Sequence, residues 1–272
     1  MSATRRAVVL AAALAVVLPC AASAKQPLFK QVDHVVVGSP DAERLFHLFR
    51  DELGLPEAWP YQSWGSFSSG AVTLGNVALE FMATEGPGTA AEFTGIAFEP
   101  VGDAADAIAE LDRRHVAHGE EKPRGRWSTV PLTAIPPAGA VFVCDYKARA
   151  QVAERRRAAA EALLRRSGGP LGISSLREIV VSARSPREAA DTWAMLADFE
   201  AQDGLLAFGQ GPGIRLTKGK TDRIEKIVVG IGGTAQNAAA FLKARRMLGK
   251  GGYSPTIDPA AVGGLGIAFV EE

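Results

Sequence analysis

The sequence predicts an α+β protein built from four βαβββ-type modules, paired into two domains. Three observations lead there. A unit occurs twice: an apolar run leads into Ser-Pro and a helical stretch follows, first as Asp33-His34-Val35-Val36-Val37-Gly38-Ser39-Pro40, then as Arg177-Glu178-Ile179-Val180-Val181 with Ser185-Pro186. The two Ser-Pro pairs lie 146 positions apart (185 minus 39), and a repeat of that length means two similar domains. Between and after them, short strand-like runs and helical stripes recur in the same order.

The first residues stand outside this pattern. Arg5-Arg6, the apolar run Ala7 to Leu18 and the small residues Ala22-Ser23-Ala24 read as a secretory signal peptide over residues 1–24, cut before Lys25. The apolar run is too short to span a bilayer as a helix. A lipoprotein anchor through Cys20 is the weaker reading, because Pro19 is a poor neighbour for processing. The remaining chain has 248 residues (272 minus 24), ample for one sizeable core or two smaller ones. The whole chain has 30 basic and 30 acidic residues, so removing Arg5 and Arg6 leaves a formal charge of −2. That balance argues against a nucleic-acid or anionic-membrane partner. Only Cys144 stays after cleavage, so no internal disulfide is expected. No later apolar run is long enough to cross a membrane, which predicts a protein free in the periplasm or medium.

The elements follow in order. Val32 to Val37 is a near-continuous apolar run and predicts a buried strand. Ser39 suits an N-cap and Pro40 a first helical position. Leu45, Leu48, Phe49 and Leu53 fall on one helical stripe, which Gly54 ends. Trp59 to Ser69 reads as a loop and edge strand. Ala71 to Leu74 and Val77 to Met82 read as strands around the turn Gly75-Asn76. A looser copy follows: strand Phe93 to Phe98, a helix marked by Ala105, Ile108, Ala109 and Leu111, weak strand material from Trp127 to Leu132, and the strand Ala140 to Cys144. These modules make a first domain over residues 30–147.

Residues 148–171 change character. Alanine and arginine dominate until Gly168-Gly169-Pro170, which predicts a connecting helix and linker with Arg155-Arg156-Arg157 on a solvated face. The second domain spans residues 172–272. Leu176 to Val181 is its first strand, and Ser185 with Glu188 has capping-box spacing. Ala189, Trp193 and Leu196 form a helix stripe. Leu205 to Phe208 and Ile214 to Leu216 pair across a glycine-rich turn. Ile227 to Ile231, a helix through Phe241 and Leu242, and the strand Gly266 to Val270 complete the chain.

This order resembles the vicinal oxygen chelate superfamily of glyoxalases, extradiol dioxygenases and fosfomycin-resistance proteins. The likeness runs over roughly residues 30 to 272, and locally through Asp33-His34-Val35-Val36-Val37, Gly75-Asn76-Val77-Ala78-Leu79-Glu80-Phe81 and Val141-Phe142-Val143-Cys144-Asp145-Tyr146. The resemblance implies two half-open mixed-sheet barrels. In that superfamily the ligands of a divalent metal project from the first and last strand of each module, commonly as His and Glu. On that basis His34 and Glu80 are a metal-ligand pair. Module two offers Thr94-Gly95-Ile96 in its first strand, and the match in its last strand falls in Cys144-Asp145-Tyr146. Glu178, Arg215 and Lys226 stand in the corresponding places of the second domain, which is therefore expected to be degenerate and to hold no metal.

Three readings of His34 and Glu80 stay open. They ligate one divalent metal, with Tyr146, Asp145 or a substrate completing the site. They act as an acid–base pair. Or they are a structural pair left from an ancestral site. His34, Glu80 and Tyr146 are the candidate catalytic group. Trp59, Trp64 and Phe67 are the candidate wall of a pocket for a small organic molecule, in a segment that also holds Tyr61. His115 and His118 sit at a helix end, where cations suit the dipole better than they suit a metal. Cys144 reads as a buried, inert thiol. The function expected is a lyase, isomerase or dioxygenase acting on a small molecule with a divalent metal. The alternative is a metal-free periplasmic protein that binds or sequesters such a molecule, in which Trp59, Trp64 and Trp127 carry the binding.

Overall fold

The computed structural model describes residues 27–86, 90–196, 205–250 and 254–272. The expected signal peptide lies outside them. The first module holds β1 (Phe29–Ser39), α1 (Ala42–His47, continued by a wider π turn over Leu48–Glu52), β2 (Glu57–Ser63), β3 (Ser68–Thr73) and β4 (Ala78–Ala83). The second holds β5 (Glu92–Pro100), α2 (Ala104–Arg113), β6 (Lys122–Pro123), β7 (Trp127–Pro131) and β8 (Val141–Tyr146). A long helix, α3 (Arg149–Arg165), leads to the third module of β9 (Ile173–Ala183), α4 (Pro186–Leu196), β10 (Leu205–Leu206) and β11 (Gly213–Lys218). The fourth holds β12 (Arg223–Ile231), α5 (Ala235–Ala244) and β13 (Gly266–Glu271).

One rule generates the sheet. The first strand of each module pairs in parallel with its last: β1 with β4, β5 with β8, β9 with β11 and β12 with β13. Parallel pairing needs a crossover, and the module's helix supplies it. First strands then pair antiparallel, β1 with β5 and β9 with β12. Each pair of modules thus becomes a lobe. The lobes meet through a bridge between Phe93 of β5 and Ile224 of β12, so all 13 strands are linked in one sheet. Among the described residues the βαβββ pattern thins along the chain. β10 has two residues, and the fourth module has β13 plus the isolated bridges Leu248–Ile257 and Thr256–Ala268.

The strands alternate as their sequences require. Val35 and Val37 of β1 face the helix-covered core and are fully buried. Between the lobes Phe98 packs on Phe208 at 5.2 Å and on Trp193 at 6.3 Å, and the Trp193 indole N–H donates to the Pro136 carbonyl. The turn at Gly75-Asn76 docks on the second lobe. Gly75 has φ +92°, and a side chain there would strike the Ser174 carbonyl at 2.4 Å. Asn76 exchanges two hydrogen bonds with the Leu176 backbone, at 2.7 and 3.0 Å.

Two local expectations are corrected. Ser39 closes β1 instead of capping the helix, and its hydroxyl accepts from the Asp41 N–H. The strand simply runs further than its apolar core. The basic face of α3 is not all solvated: Arg156 turns inward to Asp33 and Glu99, because two buried carboxylates need a cation.

Candidate functional site

The site begins with a fault in β1. Val32 pairs with Phe98 and His34 pairs with Ala97, so Asp33 is an extra residue. Such a bulge breaks the two-residue alternation and re-aims a side chain. Asp33 and His34, neighbours in sequence, therefore both face the concave side. Asp33 Oδ2 accepts from His34 Nδ1 at 2.8 Å and from the Tyr146 hydroxyl at 2.5 Å. Its Oδ1 accepts from Arg156 of α3. His34 Nε2 lies 3.3 Å from Oε2 of Glu80 on β4. Arg156 also reaches Glu99 at 2.7 Å, and Glu99 is met again by Gln31 at 2.6 Å and Lys30 at 3.1 Å.

The network sets the protonation states. Burial by itself would lower the His34 pKa, but its hydrogen bond to Asp33 and the charges of Asp33 and Glu80 raise it above 6.5. Burial opposes ionisation of Asp33, yet His34, Arg156 and Tyr146 together hold its pKa below 3.8. Burial first, then the Asp33 charge, push the Tyr146 phenol well above 10. Tyr146 is thus a neutral hydrogen-bond donor. Burial pushes the Cys144 thiol well above 9, so it is not an activated nucleophile.

Asp33, His34, Glu80, Cys144, Tyr146 and Arg156 line an open cavity of about 880 Å³ formed by the first lobe together with α3. All six residues singled out from the sequence line it: His34, Glu80, Tyr146, Trp59, Trp64 and Phe67. Trp59 stands edge-on to the His34 ring at 6.0 Å. Trp64 and Phe67 both pack against Trp127, at 5.5 and 6.3 Å. Tyr61 leaves this group and packs on Phe46 of α1, because irregular pairing on either side of Trp59 re-aims β2. Sequence reasoning missed the roles of Asp33 and Arg156. The first is hidden by the bulge, and the second by the solvated pattern of its helix. His115 and His118 are not a metal pair: both His118 nitrogens are engaged, with the Gly119 carbonyl and Asp112.

The bulge recurs in every module. On β5 it is Thr94, between the pairs Val36–Gly95 and Val37–Phe93. On β9 it is Arg177 and on β12 it is Glu225. This registers the four modules residue by residue. His34 corresponds to Gly95, Glu178 and Lys226. Glu80, the partner of Val36 two residues beyond His34, corresponds to Phe142, Arg215 and Ala268. The match in the second module is therefore Phe142, two residues before the stretch expected from the sequence. In the second lobe Glu178 and Arg215 fill the places of His34 and Glu80 and form a two-pronged ion pair, 2.6 Å in each prong.

The donor set can be weighed against a divalent metal. The 3.3 Å between His34 and Glu80 suits two ligands of one tetrahedral centre, whose bonds are about 2.0–2.2 Å. The other two positions hold Gly95, which has no donor, and Phe142, whose ring meets His34 edge-on at 5.8 Å. Asp33 cannot substitute, since it holds the opposite edge of the imidazole. No cluster of three His, Cys, Asp or Glu suited to a metal ion exists among the described residues. The residues present do not fit a dication held as the superfamily holds it.

No protein-family model matches the chain, and no curated protein does. Solved structures do match. A variant of homoprotocatechuate 2,3-dioxygenase from Brevibacterium fuscum is 13% identical with a TM-score of 0.60, over 91% of this chain and 72% of that one. The Arthrobacter globiformis enzyme is 11% identical with a TM-score of 0.58, over 92% and 82%. A hypothetical protein from Staphylococcus aureus is 10% identical with a TM-score of 0.58, over 89% and 99%. At these identities the likeness is one of fold. The chain has the vicinal oxygen chelate fold seen in extradiol dioxygenases.

Proposed function

We propose that this is an exported protein whose first lobe binds a small organic molecule and handles a proton on it through His34 and Glu80, with no resident divalent metal. The observation that carries the reading is the meeting of His34 Nε2 and Glu80 at 3.3 Å inside an aromatic-walled cavity, with Asp33 fixing the other imidazole nitrogen. Asp33 orients the ring and supports its charged form, as a carboxylate does in other His-based sites. The imidazolium can give a proton to a ligand oxygen at Nε2, and Glu80 can take one from a neighbouring carbon or hydroxyl. Tyr146 O–H stays with Asp33 and completes its shell. The related fold is known to enclose a small molecule: one Brevibacterium fuscum structure is a complex with HPCA.

Metal analysis of purified, dialysed protein is the first test. The expectation is less than one-tenth of an equivalent of any transition metal. One tightly held dication per chain, lost in His34→Ala, would restore the metal-dependent lyase, isomerase or dioxygenase reading. The pure sequestration reading keeps the cavity but gives His34 no task. It predicts that His34→Gln leaves ligand affinity and every turnover assay unchanged. Export is tested separately, by the N-terminus of the chain recovered from periplasm or medium. Lys25 is expected as the first residue.

A further inference from the structure

The rim of the cavity carries a charge pattern that the floor does not explain. Lys122, Arg124 and Arg126 come from the β6–β7 hairpin, Lys147 from the end of β8, and Arg155 from α3, and all five line the cavity. Each is solvent-exposed, and none makes an ion pair among the described residues. Many arginines elsewhere are paired, such as Arg44 with Asp41, Arg113 and Arg114 with Glu110, Arg157 with Glu154, Arg184 with Asp222 and Arg215 with Glu178; what sets these five apart is that they gather at one mouth. Arg155 is followed by two arginines that have partners, and makes no ion pair itself among the described residues. The chain as a whole is neutral, so this is a local concentration of positive charge and not a general excess.

The position of the charge limits its partner. A membrane or a duplex is met by cations spread along an extended surface, whereas these five surround the mouth of one small-molecule-sized concavity whose wall is Trp59, Trp64 and Trp127. The floor offers no free cation of its own. Arg156 is consumed by Asp33 and Glu99, and His34 by Asp33 and Glu80. We propose that the first-lobe cavity selects a small molecule with two parts: a flat apolar body lying among the tryptophans, and an anionic head, carboxylate or phosphate, held at the mouth by Arg124, Arg126 and Arg155. The head faces outward and the body points toward His34. This rests on the proposed small-molecule function and adds the class of ligand.

Calorimetric titration of the full chain tests it with a matched set: 1-naphthylacetate, 1-naphthyl phosphate and the neutral 1-naphthylacetamide. The expectation is that at least one anion binds about tenfold or more tightly than the amide at low salt, and that this preference shrinks as salt rises. Arg124→Gln, Arg126→Gln and Arg155→Gln should each weaken the anion by about three- to fivefold and leave the amide unchanged. All three residues are exposed, so the variants should keep the parent fold. The carboxylate and phosphate arms decide which head group is preferred. If anion and amide bind equally, or the substitutions change nothing, the anionic class is wrong while the cavity reading stands. If no probe binds while His34→Gln also alters nothing, the cavity reading fails first.

Discussion

His34 is held between two carboxylates, with Asp33 at 2.8 Å on one ring nitrogen and Glu80 at 3.3 Å on the other. Its removal leaves buried negative charge with fewer partners. His34→Ala should therefore lose about 3 kcal/mol of stability, read by denaturant titration. The pH dependence has a definite sign. The folded pKa of His34 lies above 6.5, so its stabilising charge is fully present below 6.5 and is lost as pH rises through the folded value. Asp33 works the other way: its folded pKa lies below 3.8, so its contribution is present above 3.8 and is lost as pH falls through the folded value. The stability advantage of the parent over His34→Gln should therefore be flat from mildly acidic pH to about 6.5 and shrink above it. An advantage that grew with pH would contradict the imidazolium assignment.

At the scale of elements, one bulged strand is used four times, and each use sets two matching positions, one on the bulged strand and one on its parallel partner. Only the first use carries His and Glu. The second carries Gly95 and Phe142, and this predicts a gain of function. Gly95→His combined with Phe142→Glu restores four donors. A Cβ at Gly95 would meet the Phe142 ring and Val36 at 3.0 Å, so Gly95→His needs Phe142→Glu beside it to relieve the ring contact. The double variant should bind about one equivalent of Zn²⁺ or Mn²⁺ in calorimetry, and the parent should bind none under the same conditions. The third use carries the Glu178–Arg215 pair, whose side chains are 22% and 34% exposed. A double-mutant cycle on that pair should give a coupling of about 1 kcal/mol or less and no change in ligand binding. A large effect on binding would mean that the second lobe is more than a structural partner.

For the whole molecule, the helix that joins the lobes also shapes the site. α3 brings Arg156 into the Asp33–Glu99 network and Arg155 to the cavity mouth. Its sequence is poor in apolar residues, and only Ala159 and Leu163 of it are buried. Its hold on the first lobe therefore depends heavily on two guanidiniums, Arg156 on Asp33 and Glu99 and Arg149 on Asp145. Arg156→Ala should raise amide exchange in residues 149–165 at least tenfold, while exchange in β1 changes little. Equal exchange in parent and variant would show that Arg149 and apolar packing seat the helix without Arg156.

The elements that follow from local pattern were legible. Apolar strands such as Val35 to Val37, the helix stripes and the repeated order gave four strand–helix–strand modules; the resemblance to the vicinal oxygen chelate superfamily supplied the fold and the His34–Glu80 pair, and with Tyr146 and the aromatic segment it led to six residues that all line one cavity. Among the described residues the later modules are thinner than the repeat suggested: the strand read over Leu205 to Phe208 spans only Leu205–Leu206. The Asp33 role was not legible, because alternation assigns adjacent residues to opposite faces and only the extra residue in the β1–β5 pairing overrides it. The Phe142 match needed the register of β5 against β8. The Arg156 contact depends on which way α3 turns when it packs. Local chemistry and periodicity thus determined the modules and their order, and the resemblance they support pointed to the candidate side chains. Tertiary structure alone decided which charges meet, since pairing register and helix docking set distances between residues more than a hundred positions apart, as with Arg156 and Asp33.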